Sequence, residues 1–368
     1  MHSEQPKRLA IACQGGGSQT AFTGGVLKKL LEQGVQEKYK IVGISGTSGG
    51  AICALLAWYG LLKAATGSTD TIYQGLVSFW QDNSAKLPWE KFLNDSSTKN
   101  SRMLDQGKLP SYEISPYNWQ WQWMQKFLSA QAPRKEFLDL RKLLEKHVNF
   151  SAIETLIEPS SPRLLMGAVD VLSGEFRTFD SKLDKITVDM VLASAAVPSL
   201  FPAVEVQGNF YWDGLFAENP PLIKFLQTIP DEVWVIGINP VKRKTVPKTP
   251  ECIVDRRNEL AGNIMLSVEL RFFEVYNELL RRGALTQDFL TQVPITPTKL
   301  RLINMTEALA ESLDYSSKLD RNPSHINTLF ADGEAQAENF WQNPDDEAYN
   351  IPSSWHTKDQ LFENFSSL

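Results

Sequence analysis

Five consecutive residues, Gly46-Thr47-Ser48-Gly49-Gly50, carry the spacing G-x-S-x-G. A serine at the centre of that spacing can act as a nucleophile when a strand turns sharply into a helix around it. The apex residue of such a turn is strained, and neighbours without a Cβ let the adjoining backbone come close. The chain supplies the context: residues 39–44 read as a strand, and an apolar helix starts at Ala51. Gly46 and Gly50 are therefore expected to shape an elbow with Ser48 at its tip. N–H groups at the start of the helix would be free to face negative charge. The competing reading is a Gly/Ser/Thr loop that merely joins strand to helix.

A second glycine cluster, Gly15-Gly16-Gly17, follows the apolar run of residues 9–13 and precedes a helical pattern over 21–31. Acyl transfer needs N–H donors aimed at a developing oxyanion, and consecutive glycines present backbone N–H groups with no side chain in the way. A purely structural turn and a phosphate cradle are the alternatives. The loop lacks the Gly-Lys-Ser/Thr ending of a phosphate-binding loop. Thr20 stands where a dinucleotide fingerprint would carry its third glycine.

A serine nucleophile needs a base within hydrogen-bond reach. The four histidines are His2, His147, His325 and His356. None sits in a local motif, and each reads as a solvated or packed side chain. A Ser-His-Asp triad is thus not compelled by the residues alone.

Four segments taken together carry a family resemblance. They are Gly15-Gly16-Gly17, Gly46-Thr47-Ser48-Gly49-Gly50, the block Ala193-Ser194-Ala195-Ala196-Val197-Pro198-Ser199-Leu200-Phe201-Pro202, and Asp213-Gly214-Leu215. In this order they resemble the patatin-like phospholipases, lipid acyl hydrolases. The resemblance implies a Ser-Asp dyad with Ser48 as nucleophile and Asp213 as base. It implies an oxyanion hole from the N–H groups of Gly15, Gly16 and Gly17, helped by Gly49. An aspartate with an ordinary pKa of about 3.9 would be ionised at neutral pH and could take the serine proton directly. The plain alternative for Asp213 is an Asp-Gly turn. One position departs from the family pattern: Gln19 follows Ser18 where the family usually carries Arg or Lys. That replaces a charge beside the loop by a neutral hydrogen-bonding group.

These residues need a scaffold. The order strand, glycine turn, helix, strand, elbow, helix predicts a parallel sheet with helices on its faces. The expected fold is α/β, a three-layer sandwich with a central, mostly parallel sheet flanked by helices. It would carry an inserted segment and a helical C-terminal extension. The catalytic domain is expected over residues 8–230 with the insertion at about 79–150, and the extension over 231–368. Proline punctuation and polar stretches such as 94–102 read as loops within the insertion. Further strands are expected at 163–171, 175–179 and 233–238, and a helix at 188–196. Leu260, Ile264, Val268, Phe272, Tyr276 and Leu280 repeat every four residues and mark a long helix.

Composition narrows the class of function. The chain has 368 residues, 42% hydrophobic and 22% charged, an ordinary globular balance. A net charge of −6 leaves no basic footprint for nucleic acid. Cys13, Cys53 and Cys252 are too far apart for a metal motif, so no metal or other cofactor is expected. No apolar run is long enough to span a bilayer. The expectation is a cytoplasmic protein, or one peripheral at a membrane, with an oligomeric state the sequence leaves open; the family resemblance implies a lipid ester as substrate. Trp119, Trp121 and Trp123, with Met124 and Phe127, fall in the insertion. The plainer reading packs these rings against the core; the other makes them a lid or interfacial patch. Alternatives on the same scaffold are a thioesterase, an acyltransferase, a polyester depolymerase or a weakly catalytic lipid-binding module.

Overall fold

The computed structural model describes residues 5–110, 115–198, 200–293, 295–352 and 355. Its centre is an eight-stranded sheet. The strands are β1 (Arg8–Cys13), β2 (Lys40–Gly46), β3 (Arg163–Asp170), β4 (Phe176–Asp180), β5 (Val204–Val206), β6 (Asn209–Asp213), β7 (Glu232–Gly237) and β8 (Lys299–Asn304). Hydrogen-bonded neighbours run β5-β6-β3-β2-β1-β7-β8, β2 and β6 following one another along one edge of β3 and β4 pairing with its other edge. The β3-β2-β1-β7-β8 core is parallel, while β4, β5 and β6 pair antiparallel. Two strands from beyond residue 231 thus lie in the same sheet as the glycine turns.

Alternation along the strands explains the layers. Leu9, Ile11, Ile44, Trp234 and Ile236 face one side and pack with helices Ala21–Glu32, Gly49–Ala65 and Pro323–Gln342. Ala10, Ala12, Val42, Val233, Val235 and Leu302 face the other, against Leu266, Leu270 and Phe273 of helix Pro250–Arg281. The sandwich expected from the βαβα order is present.

The insertion differs from its sequence reading. Residues 94–102, read as a loop, lie inside helix Pro88–Asp105. Pro88 suits the first turn, and Glu90 Oε2 accepts from Lys86 and Leu87 N–H at 2.7 and 2.9 Å. The buried face of this helix is polar: Glu90, Asn94, Thr98 and Ser101. Asn94 bonds to Asp320 Oδ1 at 2.9 Å and accepts from Arg321 N–H at 2.8 Å. A face that packs through hydrogen bonds leaves no apolar periodicity to detect. The tryptophans also depart from the plainer expectation. Helix Trp119–Gln131 buries no residue, and Trp119 and Trp123 are 72% and 64% exposed. Their rings do not pack into the core.

Candidate active site

A sharp strand-to-helix turn lies at Gly46–Gly50. β2 ends at Gly46 and the helix starts at Gly49, leaving Ser48 at φ 58° and ψ −132°. An L-residue there is strained, since this corner of backbone space belongs almost wholly to glycine. The turn is held by Gly50 N–H to Thr47 O and Ala51 N–H to Ser48 O, at 2.9 and 3.0 Å. A Cβ on Gly50 would lie 2.3 Å from Cys13 O, so the end of β1 and the elbow can touch only because that Cβ is missing.

Asp213 arrives from a different part of the chain. Gly46 pairs with Met166 on β3, and Asp213 pairs with Ala168 two residues further along the same strand. β4 spans both points on β3, through Leu165 and Ala168, so β2 and β6 follow one another along its other edge. The register therefore delivers the end of β6 to the place where β2 turns away. The end of helix Val188–Ser194 and the residues just after it fix both groups. Ser48 N–H donates to the Ser194 carbonyl at 3.0 Å and approaches its Oγ at 3.2 Å. Asp213 N–H donates to Ala196 O at 2.9 Å. Ser194 Oγ in turn donates to Gly167 O at 2.7 Å.

Burial sets the electrostatics. Asp213 is 1% exposed, and loss of hydration pushes its carboxyl up to about 7. The Ser48 hydroxyl and Leu215 N–H act in the opposite direction. Oδ1 accepts from Leu215 N–H at 2.9 Å. Oδ2 has no partner within hydrogen-bond geometry among the described residues. The Ser48 hydroxyl is thus near the carboxyl without a closed bond to it. The carboxyl is not the freely ionised group that an ordinary aspartate would be at neutral pH.

The glycine loop lies against this pair. A Cβ on Gly15 would sit 2.7 Å from Ser48 Cβ and 2.4 Å from Thr47 O. Gly15 N–H, expected as an oxyanion donor, is engaged: it donates to Asn219 Oδ1 at 2.7 Å. Gly16, Gly17 and Gly49 N–H groups make no hydrogen bond among the described residues. Gly49 is the first residue of its helix, where N–H groups lack partners within the helix. Gln19 is buried, and its Nε2 donates to Ser317 Oγ at 2.8 Å, tying the loop to helix Tyr315–Leu319.

Gln14 and Asn219 were not anticipated. Gln14 Oε1 accepts from Ile238 and Asn239 N–H at 2.9 and 3.0 Å, joining the ends of β1 and β7. Asn219 belongs to Glu218-Asn219-Pro220-Pro221, a turn signal just after Asp213-Gly214 that could have flagged it. His147 lies 3.3 Å from Asp82, and His325 Nε2 lies 3.1 Å from Ser317 O. His2, His356 and Ser199 of the fourth motif block lie outside the described residues. No group of His, Cys, Asp and Glu suited to a metal occurs among the described residues.

A family model described as patatin-like phospholipase matches residues 11–226, more than half of the chain. This protein belongs to the patatin-like phospholipase family. Membership supports lipid hydrolase activity in the broad sense. A search of curated proteins returned no match. Among solved structures, the chain is similar to VipD from Legionella pneumophila at 14% identity and a TM-score of 0.42, over 93% of this chain and 67% of that one. It is similar to the type III effector ExoU at 14% identity and a TM-score of 0.33, over 92% of this chain and 53% of that one; another ExoU structure names Pseudomonas aeruginosa as its source. A human GIVD cytosolic phospholipase A2 matches at 17% identity and a TM-score of 0.27, over 48% of this chain and 22% of that one. The chain thus spans about half of the ExoU chain it matches.

Proposed function

We propose that this patatin-like protein hydrolyses carboxylic esters of lipids through an acyl-enzyme on Ser48, with Asp213 as the base. The observation that supports it most is the Asp213 carboxyl. It is buried and raised to about 7, with one oxygen unbonded and the Ser48 hydroxyl acting on it. A base with a pKa near the working pH balances proton affinity against availability.

In the proposed reaction Ser48 Oγ attacks the ester carbonyl carbon and its proton passes to Asp213. The carbonyl π pair moves to oxygen, where the N–H groups of Gly16, Gly17 and Gly49 donate to the oxyanion. The oxyanion collapses, the bond to the leaving alcohol breaks, and Asp213 returns the proton to that alcohol. Water then attacks the acyl-serine, giving its proton to Asp213, and collapse frees the fatty acid while the proton returns to Ser48. Each oxyanion donor contributes roughly 3–4 kcal/mol to such a barrier. Gly15 has a different part in this scheme: its N–H holds Asn219, and its lack of a Cβ lets the loop reach Ser48.

The test compares the full chain with Ser48→Ala and Asp213→Asn, using a short-chain p-nitrophenyl ester, phospholipid vesicles and a fluorophosphonate probe. The expected result is ester cleavage and labelling by the wild type, no labelling of Ser48→Ala, and at most slow labelling of Asp213→Asn. Full activity in Ser48→Ala would overturn the proposal.

A further inference from the structure

Helix Pro250–Arg281 is built inside out. Its buried positions include Asp255, Glu259, Asn263 and Glu269. Its exposed positions between 253 and 272 are Ile253, Val254, Arg257, Leu260, Ile264, Val268 and Phe272. Six of these seven are apolar. Leu260, Ile264, Val268 and Phe272 are 42%, 57%, 49% and 46% exposed. At 3.6 residues per turn the seven fall within a band of about 120°, running along about 28 Å of helix. A surface helix normally shows the reverse arrangement.

The inward polar groups are satisfied, so the helix is not misplaced. Glu259 pairs with Arg256 at 3.0 Å and with Arg243, and Asp255 pairs with Lys318. Glu269 accepts from Leu222 and Ile223 N–H. Leu266, Leu270 and Phe273 meanwhile pack on the sheet. The outward apolar face is what lacks a partner.

Two observations say what covers it. The first is position. Asn263 Oδ1 accepts from Gln14 Nε2 at 3.1 Å, which sets this turn of the helix at the C-terminal end of β1, beside the glycine loop. A Cβ on Gly262 would lie 2.9 Å from Asn219 Nδ2 and 3.7 Å from Leu215 Cδ1. The inward side of this turn thus borders the surroundings of Ser48 and Asp213, and the stripe runs along the outward side of the same helix. The second is charge. The loop over residues 239–249 lies against the helix, since Arg256 donates to Pro240 O and Val241 O at 3.1 and 3.0 Å. It exposes Lys242, Lys244 and Lys248 around Val246, which is 79% exposed, and contains no carboxylate. Lys244 pairs with Glu311 at 2.7 Å. Lys242, Lys248 and Arg257 form no ion pair among the described residues. An apolar stripe flanked by free cations matches the surface of an anionic bilayer.

We infer that this stripe and the 239–249 loop form the surface by which the protein seats on an anionic lipid bilayer, laying the helix that borders the Ser48–Asp213 site against the lipid. The inference extends the reading of the site as a lipid ester hydrolase, and docking is measured apart from hydrolysis. No helix among the described residues is long and apolar enough to cross a membrane, so the contact is a peripheral one.

The experiment is co-sedimentation of the full chain with vesicles of phosphatidylcholine alone or mixed with phosphatidylglycerol, alongside hydrolysis of a soluble short-chain ester. The wild type is expected to bind the mixed vesicles. A Leu260→Gln/Ile264→Gln/Phe272→Gln variant is expected to bind them at least tenfold more weakly while cleaving the soluble ester at the wild-type rate. Lys242→Gln/Lys248→Gln should lose about fivefold per lysine on mixed vesicles, and little on phosphatidylcholine or in high salt. Failure of the wild type to sediment, or equal binding by the triple variant, overturns the inference. A dimer that becomes a monomer in the triple variant, with vesicle binding unchanged, would assign the face to a second copy instead. If the wild type binds vesicles but cleaves no ester, the catalytic reading fails and the docking surface stands.

Discussion

Ser48 and Asp213 come together by opposite routes. Ser48 is placed by its neighbours in the chain: a strand end, a strained φ of 58°, and a helix beginning at Gly49. Asp213 is placed by residues far away, through the pairing of β6 on β3 and the Ala196 carbonyl. Each position carries a stability cost, and the costs differ in kind. Strain at Ser48 is a backbone term, indifferent to pH. Burial at Asp213 penalises a charge, so its cost depends on pH. This contrast gives each half of the candidate dyad its own signature in a denaturation experiment.

The largest effect belongs to Asp213→Asn. The carboxyl goes from an ordinary 3.8 to about 7 on folding. Below pH 4 it is protonated in both states and ionisation contributes nothing to stability. Between about 4 and 7 the unfolded chain releases the proton while the folded chain keeps it, so wild-type stability falls as pH rises. Above 7 the full cost is present, on the order of 2–4 kcal/mol. Urea titrations should therefore show Asp213→Asn more stable than wild type at pH 8.5 and equal to it near pH 4. If Asp213 acts as the proposed base, the substitution should lower ester turnover about a hundred- to ten-thousand-fold. A stability gap that did not change with pH would mean that burial is not what raises the carboxyl.

The same group sets the pH profile. With Asp213 as the base, kcat/KM on a soluble ester should rise about tenfold per pH unit up to about 7 and then level off. A plateau already reached at pH 5 would detach the base from the buried aspartate. In Asp213→Asn this step should vanish from the residual activity.

Ser194 tests whether the two routes are coupled. Its carbonyl and hydroxyl both face Ser48 N–H, and its hydroxyl also satisfies Gly167 O. Ser194→Ala keeps the carbonyl and removes the hydroxyl, leaving Gly167 O without that donor. The expected loss is about 1–3 kcal/mol of stability. If Ser194 positions the nucleophile, kcat should fall roughly tenfold with KM unchanged, a drop of about 1.4 kcal/mol in transition-state stabilisation. A purely structural role would lower stability and leave kcat per folded molecule intact.

How much of this was legible follows the same division. The strand-to-helix turn is a local device, so Gly46, Ser48 and Gly50 could be placed on it from spacing and flanking patterns alone. Asp213 could not, because its place depends on which residue of β3 it faces. Only the order of four motifs pointed to it. Gly15 looked like a donor because its chemistry is that of its neighbours, and only the fold brings Asn219 to its N–H. The polar face of helix Pro88–Asp105 was invisible to a search for apolar periodicity. In helix Pro250–Arg281 the repeat of Leu260, Ile264, Val268 and Phe272 correctly marked a helix. Periodicity identifies an apolar face without saying which way it points, and here it points outward.

The smallest expected effect is the one that isolates the local half. Ser48→Gly removes the hydroxyl and, with it, the Cβ that makes φ 58° and ψ −132° costly. Glycine adopts that region freely, so the folded state should gain about 1 kcal/mol from relief of strain. Part of the gain is lost because glycine also loosens the unfolded chain, by roughly 0.5–1 kcal/mol. Ser48→Ala keeps the Cβ and so keeps the strain, which makes the difference between the two variants the quantity to measure. Glycine should match or exceed alanine in stability, whereas in an ordinary helix or strand it falls below alanine by up to about 1 kcal/mol. Both variants should be inactive on the ester, and the difference between them should be the same at pH 5 and pH 8.5. An alanine variant clearly more stable than glycine would show that the elbow holds Ser48 without strain. The pH-independent half of the contrast with Asp213 would then disappear.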